Sequence, residues 1–234
     1  MKAIDQARYD KAQEYEGGYW KSRQRDPVGL IRDLEGSFVL AQHMQRAGLL
    51  EKDYDRFLDL GCGALGVGSL WLISAKEKHG IDPLSNLPPA TGNHFIDQFV
   101  EAVQSGVKYV CGGGELLPYR DEYFDFIICN NVLDHVHNPY KILSEVWRTL
   151  TPCGIFAFSV DTHSWRSILE KKVAKIINPN SGSLPGHPYE WTESQMTQLL
   201  LDHRFEITSH IPRSIKGRLA GAVRRSTYLL KKIR

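Results

Sequence analysis

Residues 57–68 read Phe-Leu-Asp-Leu-Gly-Cys-Gly-Ala-Leu-Gly-Val-Gly: an apolar run that meets an acid and then breaks into closely spaced glycines. Glycine adopts backbone conformations closed to other residues and lets a ligand approach the main chain. The stretch therefore predicts a strand over 57–60, a glycine bend, and a helix over 67–76. Taken literally, GCGALG also meets the G-x-G-x-x-G spacing of dinucleotide sites, and a plain tight turn is the simplest alternative. Asp59 separates the cofactor readings. A carboxylate beside an incoming pyrophosphate repels it, whereas a ligand whose end carries an ammonium and a sulfonium is attracted.

Working outward, short apolar runs alternate with helical patterns. Strands are expected at 78–81, 107–111, 124–129 and 155–160, with helices at 95–104 and 139–150 between them. Such alternation predicts an α/β fold, a Rossmann-like doubly wound and mostly parallel sheet with helices on both faces. Ligands of these sheets bind beyond the carboxyl ends of the strands. Residues 1–50 read as a helical lid region in which Leu30, Leu34, Phe38, Ala41 and Met44 recur at helical spacing. After Val160 come a helix over 164–177, a Pro/Gly/Ser-rich loop over 178–188, and a helix opened at Thr192 by the capping-box spacing to Gln195. A sixth strand is expected at 205–211. The end is either a seventh strand at 227–230 or one long basic helix. The organisation is thus a lid (1–50), a core (51–212) and a basic segment (213–234) within one domain.

The pattern Asp59-x-Gly61-x-Gly63 resembles class I S-adenosylmethionine-dependent methyltransferases, of the type 11-like, small-molecule branch, and the resemblance runs over roughly residues 55 to 160. It implies that Asp59, Gly61, Cys62 and Gly63 meet the cofactor, S-adenosyl-L-methionine, whose product is S-adenosyl-L-homocysteine. Asp82, followed by Pro83, ends the second strand as the family's ribose-binding acid does. The segment CGGGELLPY, 111–119, is similar to the family's G-D-A-E-x-L-P-F, which implies that Gly114, Glu115 and Leu116 flank the adenine. Gly113 stands where the family has Asp. FDFIICNNVLDHVHNP, 124–139, is similar to F-D-x-V-x-x-x-x-V-L-E-H-V, with Asp134 for Glu. It implies that Asn130 lies near the methionine end and that the residues after it open the acceptor pocket. One departure is Leu65, where a third glycine belongs; Gly66 follows one place later, so the turn is expected to be one residue longer. Tyr15, Tyr19 and Trp20 resemble the family's lid, with Trp20 over the sulfonium.

Methyl transfer from a sulfonium is an in-line displacement in which alignment and exclusion of water matter most. A carbon or oxygen acceptor also needs a base. His135 is the first candidate, followed by His137, His163 and His187; a structural role stays open for each. In GHPYEW, 186–191, His187 and Tyr189 are placed to touch an acceptor. No metal is expected: Asp134, His135 and His137 have ligand types, but a helix-start loop explains them as well. The functional reading is methylation of a small-molecule, sugar or lipid-linked biosynthetic intermediate. An inactive cofactor-binding scaffold and an NAD-dependent oxidoreductase are the alternatives.

Composition is that of an ordinary globular chain, with 42% hydrophobic and 24% charged residues. No apolar run approaches the roughly 20 residues of a membrane helix. The opening MKAIDQARYDKAQEY lacks an apolar signal segment, so a cytoplasmic protein is expected. Cys62, Cys111, Cys129 and Cys153 form no C-x-x-C pair and are expected as buried thiols. The net charge of +2 hides an uneven distribution: Arg213–Arg234 holds eight Lys/Arg and no acid. That tail is read as an amphipathic helix against anionic lipid at the inner face of the membrane, as a nucleic-acid contact (not expected, because no recognised module accompanies it), or as a solvated end.

Overall fold

The strands read from the sequence join a single seven-stranded sheet in the order β3-β2-β1-β4-β5-β7-β6. The computed structural model describes residues 3–23, 26–84, 91–177, 186–212 and 225–233. In chain order the elements are α1 (Gln6–Arg23), α2 (Pro27–Arg46), β1 (Asp53–Leu60), β2 (Ser74–Asp82), α3 (His94–Gln104), β3 (Val107–Cys111) and β4 (Phe124–Asn130). They continue with α4 (Pro139–Thr149), β5 (Leu150–Asp161), α5 (Trp165–Ile177), α6 (Glu193–Asp202), β6 (Phe205–Ile211) and β7 (Arg225–Lys232). β1 to β5 pair in parallel; β7 runs antiparallel between β5 and β6.

Local chemistry fixes the helix starts. Asn93 and Asn138 accept from the first free amides of α3 and α4, and Pro139 supplies a preset first turn. The Thr192–Gln195 capping box forms in both directions at α6, as its spacing predicts. The central strands are buried on both faces, so alternate residues feed two cores. Leu58, Leu60, Phe124, Ile127 and Cys129 pack on one side; Phe57, Phe126 and Ile128 pack on the other with Leu40 and Met44 of α2.

Several expectations are corrected. Residues 67–76 are not a helix. They form successive turns closed by Gly66 N–H to Gly63 O, Leu70 N–H to Val67 O and Leu72 N–H to Ser69 O, and β2 begins already at Ser74. The reason is local: each glycine costs about 1 kcal/mol relative to alanine in a helix, and the buried Asp59 carboxylate takes the Ser69 amide. The basic end is not a helix over 225–233 but strand β7, where the Lys232 ammonium donates to Leu150 O in the interior. The described part of that segment therefore belongs to the core, and the amphipathic-helix reading is left to 213–224, which lie outside the described residues. Ala41 and Met44 are buried as expected, but Phe38 is 45% exposed; the side chains of Leu30 and Leu34 lie outside the description. Cys62 and Cys129 are buried, whereas Cys111 and Cys153 are exposed. Among the described residues no helix is long and apolar enough to cross a membrane.

Candidate active site

The glycine bend is built from close approach. Gly61 sits at φ +81°, and its amide and that of Cys62 donate to Ile81 O at 2.7 and 3.3 Å, locking the end of β1 to the end of β2. A side chain at Gly61 would run into Val132. Gly68 is needed for a different reason, because a Cβ there would strike the Asp59 carboxylate and the Cys62 backbone. Asp59 is 1% exposed, accepts from Ser69 N–H at 2.5 Å, and is pushed up to about 7 by burial against the pull of the Ser69 and Leu70 amides. This corrects its expected role. Asp59 lies behind the bend and staples it shut, outside the cleft wall.

A cleft of about 500 Å³ opens at the carboxyl ends of β1, β2 and β4. Of the residues singled out in the sequence, Gly61, Cys62, Gly63, Asp82, Pro83 and Gly114 line it, as do Glu115, Asn130, Trp20, His135 and His187. Leu116 does not; it is 81% exposed. After Gly63 the chain turns back with Gly66 N–H donating to Gly63 O at 2.9 Å. Asp82 accepts from Gly63 N–H at 2.9 Å through one carboxylate oxygen and from Leu84 N–H at 2.8 Å through the other. Burial raises its carboxyl. Each oxygen keeps a lone pair for a further donor. The Trp20 indole covers Gly63, 3.3 Å from where a Cβ would stand. Asn130 donates to Ser37 Oγ at 2.9 Å and accepts from Ser159 Oγ at 2.5 Å, so α2 and β5 fix it. Glu115 accepts from the His137 and Asn138 amides at 3.0 and 3.1 Å and anchors the start of α4.

The opposite end of the cleft is ionic. Asp134 is 2% exposed; its Oδ2 lies 2.6 Å from His187 Nδ1 and its Oδ1 lies 3.6 Å from His135 Nε2. His135 Nδ1 is 2.9 Å from Gly186 O and 3.3 Å from Glu16 Oε1. Burial works against the charge of both partners. Even so, Asp134 and Glu16 hold the His135 imidazole up at about 9, and His135 and His187 hold Asp134 down at about 2. His135 therefore carries its proton near neutrality and is no free base in this state. Tyr189 is corrected too: it is buried, donates to His137 O and accepts from Ile4 N–H, with no place on the cleft wall. His137 and His163 likewise lie outside the wall.

Sequence reasoning missed Glu16, Tyr9 and Gln13, which line the cleft from α1. With Trp20 they fall at positions 9, 13, 16 and 20, one helical face. That face is polar, so an apolar-stripe reading passes over it. Asn131, at φ +60° in the cleft wall, was also missed.

Sheet, bend and cleft together define a Rossmann-like cofactor-binding domain. Residues 58–158 match the family model described as a methyltransferase domain. That match covers less than half of the chain, and it is this segment that carries the methyltransferase domain. A ubiquinone biosynthesis O-methyltransferase of Coxiella burnetii is 30% identical over 117 residues, 48% of this chain and 46% of that protein. One from Bradyrhizobium is 28% identical over 158 residues, 65% of this chain and 59% of that one. The chain thus spans about half the length of these curated relatives. Among solved structures, a Burkholderia thailandensis 1,6-didemethyltoxoflavin-N1-methyltransferase, with 1,6-didemethyltoxoflavin and S-adenosylhomocysteine bound, superposes with TM-score 0.66 at 17% identity, covering 100% of this chain and 94% of that chain.

Proposed function

We propose that the protein transfers a methyl group from S-adenosylmethionine to a small-molecule acceptor seated at the His135–His187 end of the cleft, releasing S-adenosylhomocysteine. The observation that carries this reading is the continuity of one cleft from the glycine bend and Asp82 to the histidines. In it, Asp82 receives the ribose hydroxyls on the lone pairs its backbone partners leave open. The backbone at Gly112–Gly114 faces the adenine, Trp20 covers the donor, and Asn130 lies toward its methionine end. The wall suits a cationic donor better than a diphosphate. Among the described residues that line it, the arginine is Arg225, paired with Asp161 at 3.3 Å, and protonated His135 is held by Asp134 and Glu16. A diphosphate would meet Asp82 and Glu16 instead. The chain's task is then to align acceptor, methyl carbon and sulfur and to exclude water.

Calorimetry with S-adenosylmethionine, S-adenosylhomocysteine and NAD tests the donor. Heats are expected for the first two and none for NAD, and the reverse pattern would sink the proposal. Release of S-adenosylhomocysteine on adding hydroxylated, amine and lipid-linked acceptors in turn tests turnover. Cofactor binding without release for any of these would favour an inactive scaffold.

A further inference from the structure

We infer that helix α5 is a docking face for the surface of an anionic phospholipid bilayer. Trp165, Leu169, Val173, Ile176 and Ile177 are 47–83% exposed. At about 100° per residue they share about a third of the helix circumference. Ile168, Lys171 and Ala174, on the other side, are half-buried and seat the helix, with Lys171 Nζ 2.6 Å from Glu190 Oε1. A surface helix of a globular protein ordinarily turns its apolar stripe to the core. α5 turns one outward, and a contiguous exposed apolar row marks an interaction site.

Charge selects the occupant. α5 holds Arg166, Lys171, Lys172 and Lys175 against Glu170, whereas the rest of residues 1–212 sets 17 Lys/Arg against 26 Asp/Glu. An anionic surface is therefore drawn to this helix and repelled by the remainder of that body. Residues 213–224 add Arg213, Lys216, Arg218 and Arg224 with no acid. The chain re-enters the sheet from them at Arg225, whose register partner is Asp161, four residues before Trp165. Both basic stretches thus join the sheet at the same end of β5. Arg166 and Lys172 border the apolar row and Trp165 stands in the first turn, the layout of a helix lying in the plane of a lipid interface. α3 makes the contrast. It also exposes Phe95 and Phe99, but it carries Asp97 and Glu101 and no Lys or Arg, so an anionic surface has nothing to hold there.

At 13 residues α5 is too short to cross the roughly 30 Å hydrocarbon layer, so it lies along the surface. Its place in the chain gives that contact a consequence. Asp161, four residues before the helix, and His187, ten residues after it, both line the cleft. A bilayer under α5 is thereby tethered to the histidine end of the cleft rather than to the glycine end.

The test is co-sedimentation of the full chain with vesicles of phosphatidylcholine alone and of phosphatidylcholine mixed with phosphatidylglycerol. Binding is expected on the mixed vesicles, weaker on the neutral ones, and reduced by added salt. The double variant Leu169→Gln/Ile176→Gln is expected to weaken it by about tenfold or more, and Lys172→Glu by about fivefold or more on the mixed vesicles alone. Phe95→Gln, an exposed aromatic on the acidic helix, is expected to leave it unchanged. All of these side chains are exposed, and an unaltered melting temperature for each variant reports the fold. No binding to the mixed vesicles, equal binding to both kinds, or equal binding by the double variant and the unsubstituted protein overturns the inference. So does a doubled mass in solution that the double variant abolishes, which would give the face to a second copy of the chain. Vesicle binding is read without donor or acceptor, so it stands or falls apart from the methyl transfer proposed above.

Discussion

The two ends of one cleft are built by different means. At the glycine end the wall is main chain: Gly61 and Cys62 hang from Ile81 O, Gly63 from Asp82, and all of these lie within two adjacent strands and their turns. At the histidine end the wall is side chain, and Glu16, Asp134, His135 and His187 arrive from a helix, the turn after β4 and a distant loop. The contrast teaches what each end can tolerate. Conformation governs the first, so a small steric change there is severe. Single donor and acceptor atoms govern the second, so a substitution there changes chemistry while leaving the fold.

The largest expected effect follows from the first half of that statement. Gly61→Val imposes a branched side chain at φ +81° and drives it into Val132. Strain of about 1–3 kcal/mol and overpacking of about 1–3 kcal/mol together predict a loss of about 4 kcal/mol, read from urea unfolding. A midpoint equal to that of the unsubstituted protein would show that the bend is not built on close approach.

Next comes acid. His43 is 2% exposed, with its ring nitrogens 2.8 Å from Thr227 Oγ1 and Ser209 Oγ. Burial, and then His210 and Arg46 nearby, hold it down at about 4. Its folded pKa lies below the unfolded value of about 6.5, so the unfolded chain binds the extra proton in between. Stability therefore falls as pH drops from about 6.5 to about 4, by roughly 3 kcal/mol at most for this group. His210 and His79 are lowered as well and add in the same direction; Asp59, raised to about 7 by burial, opposes them over this window, and the His135 contribution falls above it. The check is the difference in slope between the unsubstituted protein and His43→Gln over that window. Identical slopes would remove His43 from the account. This histidine pins α2 to β6 and β7, so acid should loosen that edge of the sheet first.

Asp82→Ala tests the main-chain end without touching a glycine. It is expected to weaken S-adenosylhomocysteine binding by about 1.5–3 kcal/mol, the scale of a charged hydrogen bond, while His187→Ala shifts it by no more than about twofold. Unchanged affinity for Asp82→Ala would refute the ribose assignment. Equal losses for both would erase the distinction between the two ends.

The same contrast explains what could be read in advance. The strands, their order of appearance and the Asp82, Asn130 and Gly61–Gly63 positions were legible because each sits in a local pattern of period two, a cap or a glycine turn. The helix expected at 67–76 was not delivered, because the apolar spacing there competes with Gly66, Gly68 and a buried carboxylate that claims the Ser69 amide. Asp59 was assigned to the ligand because a sequence shows an acid at a strand end but not the direction it faces. His135 was read as a base because the sequence does not show Glu16 arriving from α1. Long-range encounters of that kind leave no periodic trace, and the histidine end consists of little else.

The smallest expected effect is the most discriminating. Thr192 caps α6 by accepting from Gln195 N–H while the Gln195 side chain returns the bond to the Thr192 amide. Thr192→Ala should cost about 1 kcal/mol, a fall in Tm of roughly 2–4 °C for a domain of this size, with Thr192→Ser restoring most of it. The helix is seated by Met196, Leu199 and Leu200, and its start follows directly on the loop that carries His187. Fraying there loosens the loop that carries His187 first, whereas Gly63 and Asp82 are held by the adjoining ends of β1 and β2. Cofactor affinity should therefore hold while turnover of an acceptor seated beside His187 declines by a few fold. If S-adenosylhomocysteine affinity declines in step, the cleft responds as one rigid body, and the separation of a main-chain end from a side-chain end has no energetic content.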